Sequence, residues 1–262
     1  MKKLTQNQIK FFREKGYLHI KSVVNKKKIS NFKNTFFNLF KHFSGFNTSK
    51  DFDDPKLVQK FKQFRSKDEK KFFVFFRTLS ITNTFNELYN DKNVLDLTSK
   101  LLKTSKDNLI IAEPQLRVDE PKDKFFTLDW HQDAAHYKQD PSGKNSLVIN
   151  VSVQKLTENM GTPKLIPGSH KRKVFKTYNS KKVKKSKVAQ LVPKKKDIII
   201  KDNISEYVKS NPGDITIYDM RLLHKSGFNE SNKIRVSVIS RAFNPIFKNF
   251  KSFRYITKIL DN

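Results

Sequence analysis

A histidine and a carboxylate stand two residues apart in this sequence, at His131 and Asp133. On a β-strand, side chains at positions i and i+2 point to the same face, so these two would converge on one point. A second histidine, His224, follows far downstream at the end of another strand-like run. Two histidines and one carboxylate with open positions form the facial triad of non-haem Fe(II) oxygenases. The pattern therefore predicts a metal site made of these three side chains.

Length and composition limit what else the chain can contain. Its 262 residues suffice for one large domain, and the absence of cysteine means that only His, Asp or Glu can hold a metal. No run approaches the roughly 18 apolar residues of a membrane span. The residues after Met1 are polar rather than the apolar centre of a signal peptide. We therefore expect a cytoplasmic protein.

The chain is strongly basic, with a formal net charge of +29. Clustered Lys and Arg suit nucleic acid, but no nucleic-acid-binding motif is visible, so we expect a small-molecule partner instead. Residues 171–201 hold 13 basic residues against one acid, Asp197. A solvated loop is the usual explanation for such a segment. The alternative is an electropositive rim that steers an anionic substrate into a pocket.

Helical patterns come first along the chain and strand patterns follow. Apolar spacing predicts helices over residues 4–16, 28–43, 69–79 and 82–104, with a loop or lid over 44–68. Strand-like alternation covers 108–112, 114–118, 125–133, 146–153, 211–218 and 233–240. This order indicates a single α+β domain over 1–262, with helices in residues 1–107 buttressing a core in residues 108–245. The core is predicted to be a double-stranded β-helix, a cupin-like jelly roll.

Four segments in this order resemble the phytanoyl-CoA dioxygenase family of Fe(II)- and 2-oxoglutarate-dependent oxygenases, and the resemblance covers nearly the whole chain. They are residues 4–17, Trp130-His-Gln-Asp133, the turn 159–170, and His224-Lys-Ser-Gly-Phe-Asn229 leading to Arg235. The resemblance implies Fe(II), 2-oxoglutarate and O2 as cofactors, with the metal on His131, Asp133 and His224. It also implies that Arg235 pairs with the distal carboxylate of 2-oxoglutarate.

The position of Arg235 agrees with that role. It lies in an apolar, alternating strand pattern, where a buried cation is costly unless it is paired with an anion. A guanidinium fork is shaped for a carboxylate, which 2-oxoglutarate supplies. The alternative is an internal ion pair with an Asp or Glu.

Four further residues are candidates for the pocket. Gln115 and Arg117 resemble the Gln-x-Arg of the ectoine hydroxylase branch, with Arg117 toward the substrate, although ordinary polar sheet positions would also explain them. Ser226 resembles a family position near 2-oxoglutarate. Strict alternation turns Leu128 away from His131, so Leu128 reaches the 2-oxoglutarate pocket only if the strand bulges or twists.

The expected activity is hydroxylation of an unactivated C–H bond in a small molecule, with anionic compounds first among the candidates. A carboxylate at Asp133, rather than a small residue that would open a halide site, favours hydroxylation over halogenation. Two alternatives stay open. One is a non-catalytic or nucleic-acid-associated basic protein on the same fold. The other is a cupin-like metal isomerase or hydrolase that does not need 2-oxoglutarate.

Overall fold

The protein is described by a computed structural model, which covers residues 2–123, 127–179, 191–193 and 204–251. The described helices, in chain order, are α1 Gln6–Lys15, α2 Lys26–Ser44, α3 Pro55–Lys67, α4 Glu69–Ser80, α5 Asn83–Tyr89 and α6 Lys92–Leu102. The described strands are β1 Tyr17–Ile20, β2 Ile110–Asp119, β3 Ser146–Ser152, β4 Lys164–Leu165, β5 Thr177–Asn179, β6 Leu191–Pro193, β7 Glu206–Tyr207, β8 Ile215–Asp219, β9 His224–Lys225 and β10 Arg235–Phe243.

The first helix begins and ends as its sequence predicts. The Thr5 hydroxyl accepts a bond from the backbone N–H of Gln8 at 3.2 Å, and the Gln8 side chain accepts one from the Thr5 N–H at 2.9 Å. Gly16 ends the helix with a left-handed φ of 81°, a conformation that costs glycine little. A Cβ on Gly16 would lie 2.3 Å from His170 Nδ1. The turn that contains His170 is therefore packed directly onto the end of α1.

The predicted loop or lid over residues 44–68 is wrong for residues 55–67, which form α3. Asp54 caps this helix by accepting a bond from the Lys56 N–H at 2.9 Å, and a proline occupies its first turn. Phe61 and Phe64 are buried against phenylalanines of α2 and α4. The lysines of α3, at positions 56, 60, 62 and 67, make its amphipathic stripe less obvious in the sequence.

The single helix predicted over residues 82–104 is two helices. Asn90 ends α5, and the Asp91 carboxylate caps α6 by accepting a bond from the Asn93 N–H at 2.9 Å. Asp91 also pairs with Lys28 of α2 at 2.7 Å. The break is therefore fixed by a cap and a tertiary contact.

The described strands form antiparallel sheets. The largest has five strands in the order β1-β8-β3-β10-β2, a second has the order β7-β4-β9, and β5 pairs with β6. One face of the large sheet joins the core formed by the helices, whereas the alternate residues of β3, β8 and β10 point to its other face. In the described ranges, no helix is both long and apolar enough to cross a lipid bilayer.

This architecture confirms the mixture of N-terminal helices and antiparallel sheets that the α+β prediction required. The two strands predicted over 108–112 and 114–118 are one strand, β2, interrupted by a bulge opposite the step from Ile239 to Arg241. The other face of the large sheet, which carries residues 235, 237 and 239 of β10, borders the cavity described next.

Candidate metal centre and co-substrate pocket

The three side chains predicted as metal ligands meet at one buried point. The Asp133 Oδ1 atom lies 3.3 Å from His131 Nε2 and 3.5 Å from His224 Nε2. One ligand atom from each residue can be chosen so that all three lie within 4.8 Å of one another. The donor set, two imidazoles and one carboxylate, is that of the facial triad. These residues fit a single divalent metal ion.

The backbone brings the ligands together in a way that differs from the prediction. Residues 127–133 do not form the continuous strand expected over 125–133, and residues 125 and 126 lie outside the described residues. Instead, His131 and His224 form an isolated antiparallel bridge, with N–H to carbonyl distances of 2.9 and 3.1 Å. A short 3₁₀ helix, Asp133–Ala135, then turns the carboxylate toward the two imidazoles.

Both imidazoles are oriented by backbone carbonyls. His131 Nδ1 lies 2.7 Å from the Asp129 carbonyl oxygen, and His224 Nδ1 lies 2.9 Å from that of Leu222. A carbonyl only accepts, so each Nδ1 carries the proton and each Nε2 offers its lone pair to the site. Burial, together with the neighbouring His224, lowers the pKa of His131. His131 is therefore neutral at neutral pH, as a metal ligand must be.

Arg241, which the sequence argument passed over, pairs with the carboxylate of the triad. Its Nε and Nη2 donate to Asp133 Oδ2 at 3.0 and 2.9 Å. Burial alone would raise the pKa of Asp133, but the charge of Arg241 holds that pKa well below its usual range. Asp133 is therefore ionised.

Arg235 is buried and makes the internal ion pair that the sequence argument had left open. Asp119 Oδ2 accepts bonds from Arg235 Nε at 3.0 Å and Nη2 at 2.7 Å, and the Gly161 carbonyl accepts one from Nη1. A guanidinium has five N–H donors, so these three bonds leave two for a ligand. Arg235 also lines the cavity beside the triad.

That first cavity has a volume of about 230 Å³, and every residue predicted for the site lines its wall. Arg117 donates to Ser226 Oγ at 3.1 Å and to Asp119 Oδ1 at 3.0 Å. Leu128 reaches the cavity because its segment is not a regular strand. The full set of predicted residues in its wall is Gln115, Arg117, Leu128, His131, Asp133, His224, Ser226 and Arg235.

Asn150 of β3 is a cavity residue that the sequence argument missed. Its side chain is buried, and its Oδ1 has no hydrogen-bond partner among the described residues. A buried polar atom without a hydrogen-bond partner is energetically costly. We therefore expect this oxygen to accept a hydrogen bond from a ligand or a bound water. The only signal in the sequence was an asparagine inside an apolar strand.

A second cavity of about 200 Å³ borders the triad and shares its His131 and Asp133 with the first. Glu113, His136 and Tyr137 belong to this cavity alone. Tyr137 donates to the Glu113 carboxylate at 2.7 Å. The remaining wall residues are Gln115, Leu128, Leu191, Val192 and Arg241.

Two glycines, Gly161 and Gly227, allow two segments that are distant in the sequence to lie in direct contact. A Cβ on Gly161 would lie 2.6 Å from the Gly227 carbonyl oxygen, and a Cβ on Gly227 would lie 2.6 Å from the Gly161 carbonyl carbon. The turn containing Gly161 and the segment after His224 therefore cross in direct backbone contact. This crossing holds the Gly161 carbonyl where Arg235 donates to it.

The overall structure is similar to several solved structures. EvdO2 from Micromonospora carbonacea var. aurantiaca, solved with 2-oxoglutarate, aligns at a TM-score of 0.63 and 15% identity, over 93% of this chain and 92% of that one. EctD from S. alaskensis with bound Fe aligns at 0.61 and 15%, over 92% and 76%. The epimerase SnoN, in complex with Fe3+ and alpha ketoglutarate, aligns at 0.59 and 14%, over 91% and 83%. At these identities the likeness shows a shared fold.

No curated protein sequence matches the chain. The family model of phytanoyl-CoA dioxygenase (PhyH), whose enzymes use Fe(II), 2-oxoglutarate and O2, matches residues 12–237. That match contains both segments that supply the triad, as well as Arg235. The resemblance inferred from four short motifs is confirmed, and the chain belongs to the phytanoyl-CoA dioxygenase family of oxygenases.

Proposed function

We propose that this protein is an Fe(II)- and 2-oxoglutarate-dependent dioxygenase that hydroxylates an unactivated C–H bond of a small molecule. The observation that supports it best is the meeting of His131, Asp133 and His224 in one cavity with Arg235. When bound there, the iron would activate O2 with 2-oxoglutarate as the co-substrate. We also propose that the chain is a single domain whose sheets form a double-stranded β-helix.

The residues of the first cavity divide the work of holding 2-oxoglutarate. We assign its distal carboxylate to Arg235 and Ser226, and the cavity wall beside it to Gln115 and Leu128. Arg117 was predicted toward the substrate, but its bond to Ser226 supports a place at the co-substrate end. The arginines orient the dianion beside the triad.

We place the substrate in the second cavity, across the triad. The expectation of an anionic substrate rested on residues 171–201, of which 180–190 and 194–201 lie outside the described residues. In the described wall, the guanidinium of Arg241 is paired with Asp133, whereas Glu113 presents a carboxylate. This arrangement favours a substrate with a hydrogen-bond donor, such as an amine or hydroxyl, near Glu113.

The test is turnover of 2-oxoglutarate to succinate with Fe(II) and a substrate panel that contains amines, alcohols and acids. His131→Ala, Asp133→Ala and His224→Ala should each abolish metal-dependent succinate formation, because two ligands do not hold the facial geometry. His42→Ala, at an exposed position on α2, is the matched control and should keep full activity.

Product analysis separates the possible outcomes, because the structurally similar SnoN is an epimerase. Hydroxylation adds one oxygen atom to the substrate, which mass spectrometry detects. Unchanged turnover in the three triad variants would sink the proposal. Turnover that does not consume 2-oxoglutarate would favour the cupin-like alternative instead.

A further inference from the structure

The two oxygens of the Asp133 carboxylate have separate partners. Oδ1 faces Nε2 of His131 at 3.3 Å and Nε2 of His224 at 3.5 Å. Oδ2 accepts both hydrogen bonds from Arg241, at 3.0 and 2.9 Å. Arg241 therefore does not bridge the two oxygens but binds only one of them.

Arg241 is itself held in place on several sides. Its side chain is about 10% exposed, and its guanidinium carbon lies 5.7 Å from the centre of the Tyr137 ring. Its Nη1 reaches the Glu113 carbonyl at 3.4 Å, a long contact. The bulge in β2 sets Arg241 opposite Ala112 instead of Glu113. The guanidinium is therefore a fixed partner for Asp133.

We propose that Arg241 is a positioning residue that keeps Asp133 a one-oxygen metal ligand. A carboxylate whose second oxygen is free can bind an ion through both oxygens, and it would then occupy a position that the facial triad leaves open. By holding Oδ2, Arg241 reserves that position for the co-substrate. This inference rests on the proposed function, because it assigns a role at the same metal.

The charge of Arg241 supports the same role. The charges of Asp133 and Arg241 cancel each other. This ion pair and two neutral imidazoles would therefore contribute no net charge around the ion. A bound divalent cation would then keep its full charge for the dianionic 2-oxoglutarate. Without Arg241, Asp133 would neutralise part of that charge, and the dianion would be held more weakly.

The test is to replace Arg241 and to measure metal and co-substrate binding separately, without turnover. Co(II) serves as the metal probe because its visible absorption reports coordination number. In Arg241→Met, Co(II) should bind at least as tightly as in the wild type, because the carboxylate is freed. The affinity of the Co(II)-loaded protein for 2-oxoglutarate should fall by about ten-fold or more, and the Co(II) spectrum should change. Arg241→Lys, which keeps a charge and a donor, should lie between the two.

Arg221→Met is the matched control, because Arg221 also donates two hydrogen bonds to one carboxylate, that of Asp219, at 2.9 and 2.6 Å. It should lose stability without changing the Co(II) spectrum. If Arg241→Met does not fold, Arg241→Lys carries the test. An unchanged spectrum and unchanged 2-oxoglutarate affinity in the folded Arg241 variants would overturn the inference. Failure of the wild-type protein to bind Co(II), or 2-oxoglutarate after Co(II), would overturn the proposed function and the inference with it.

Discussion

Asp119 lies between two guanidinium groups that belong to the wall of the first cavity. Its Oδ1 accepts from Arg117, and its Oδ2 accepts from Arg235. Burial alone would raise the pKa of Asp119, but Arg117 and Arg235 outweigh it and lower that pKa. One carboxylate therefore faces two cations, and it contributes to the electrostatic balance of both.

The first prediction at this scale concerns Asp119→Asn. Removing the carboxylate charge should destabilise the protein by roughly 3–5 kcal/mol, because two neighbouring cations lose their partner. Added 2-oxoglutarate should then raise the melting temperature of the variant more than that of the wild type, because the dicarboxylate supplies the missing charge. Differential scanning fluorimetry over a range of 2-oxoglutarate concentrations measures both effects.

Asp91→Asn provides the comparison, since Asp91 is a buried carboxylate whose partner, Lys28, does not line the first cavity. It should be destabilised but should respond to 2-oxoglutarate as the wild type does. Equal responses in the two variants would contradict a role for Asp119 in holding the arginines of the first cavity.

At the residue scale, the sequence predicted the triad as a cluster but not its supports. Arg235 was identified by the family resemblance, and its place in an apolar strand, where a cation needs an anion, agreed with that role. The same physical argument applies to Arg241, six residues later on the same face. Their anions, Asp119 and Asp133, come from distant parts of the chain. Which arginine pairs with which carboxylate depends on strand register, and a single sequence does not determine that register.

The bulge in β2 places a residue with an unusual backbone conformation beside the second cavity. Glu113 has a left-handed φ of 47°, a conformation that costs a residue with a Cβ about 1–2 kcal/mol. Glu113 and Pro114 together stand opposite Ser240 in the paired strand. The strain accompanies a carboxylate in the wall of the second cavity, and such strain is often found at functional sites.

A pair of substitutions isolates this strain. Glu113→Gly and Glu113→Ala both remove the carboxylate and its bond from Tyr137, but only glycine adopts a positive φ at little cost. Glu113→Gly should therefore be more stable than Glu113→Ala by about 1 kcal/mol, measured by urea denaturation. Equal stabilities would mean that the backbone at Glu113 is not strained.

The sequence predicted an element well where one short stretch contained the signals for its start, its buried face and its end. Elements without such a set of signals were predicted less well. The helix after Thr5 had a capping residue, an apolar stripe and a terminal glycine in one stretch. The helix α3 has a capping residue, Asp54, and an apolar stripe, but it has no terminal glycine. The polar residues around it led to the prediction of a lid. The segment around His131 was not predicted locally, because its pairing with the segment of His224 is an isolated bridge rather than a strand ladder. A single bridge is too short to leave a periodic pattern in the sequence.

At the scale of the whole molecule, the net charge of +29 acts on any anion that approaches the protein. Association of dianionic 2-oxoglutarate with the Co(II)-loaded protein should slow several-fold as ionic strength rises from about 0.02 to 0.3 M, because the screening length falls below about 10 Å. Stopped-flow absorption of the Co(II) site measures this rate. The dissociation rate of 2-oxoglutarate from the same complex is the control, and it should depend on salt much less than the association rate does. An association rate that does not change with salt would show that the basic surface does not steer the co-substrate.

Because His131 and His224 form a backbone bridge, metal binding also depends on the register in which their two segments pair. Each backbone group of one histidine bonds to the other, so a slip of one residue at this point would turn one imidazole to the opposite face. A misaligned chain could keep its helices and most of its sheet and still be unable to hold iron. Metal uptake during refolding would therefore report the moment at which these two distant segments reach their native register, separately from the formation of secondary structure.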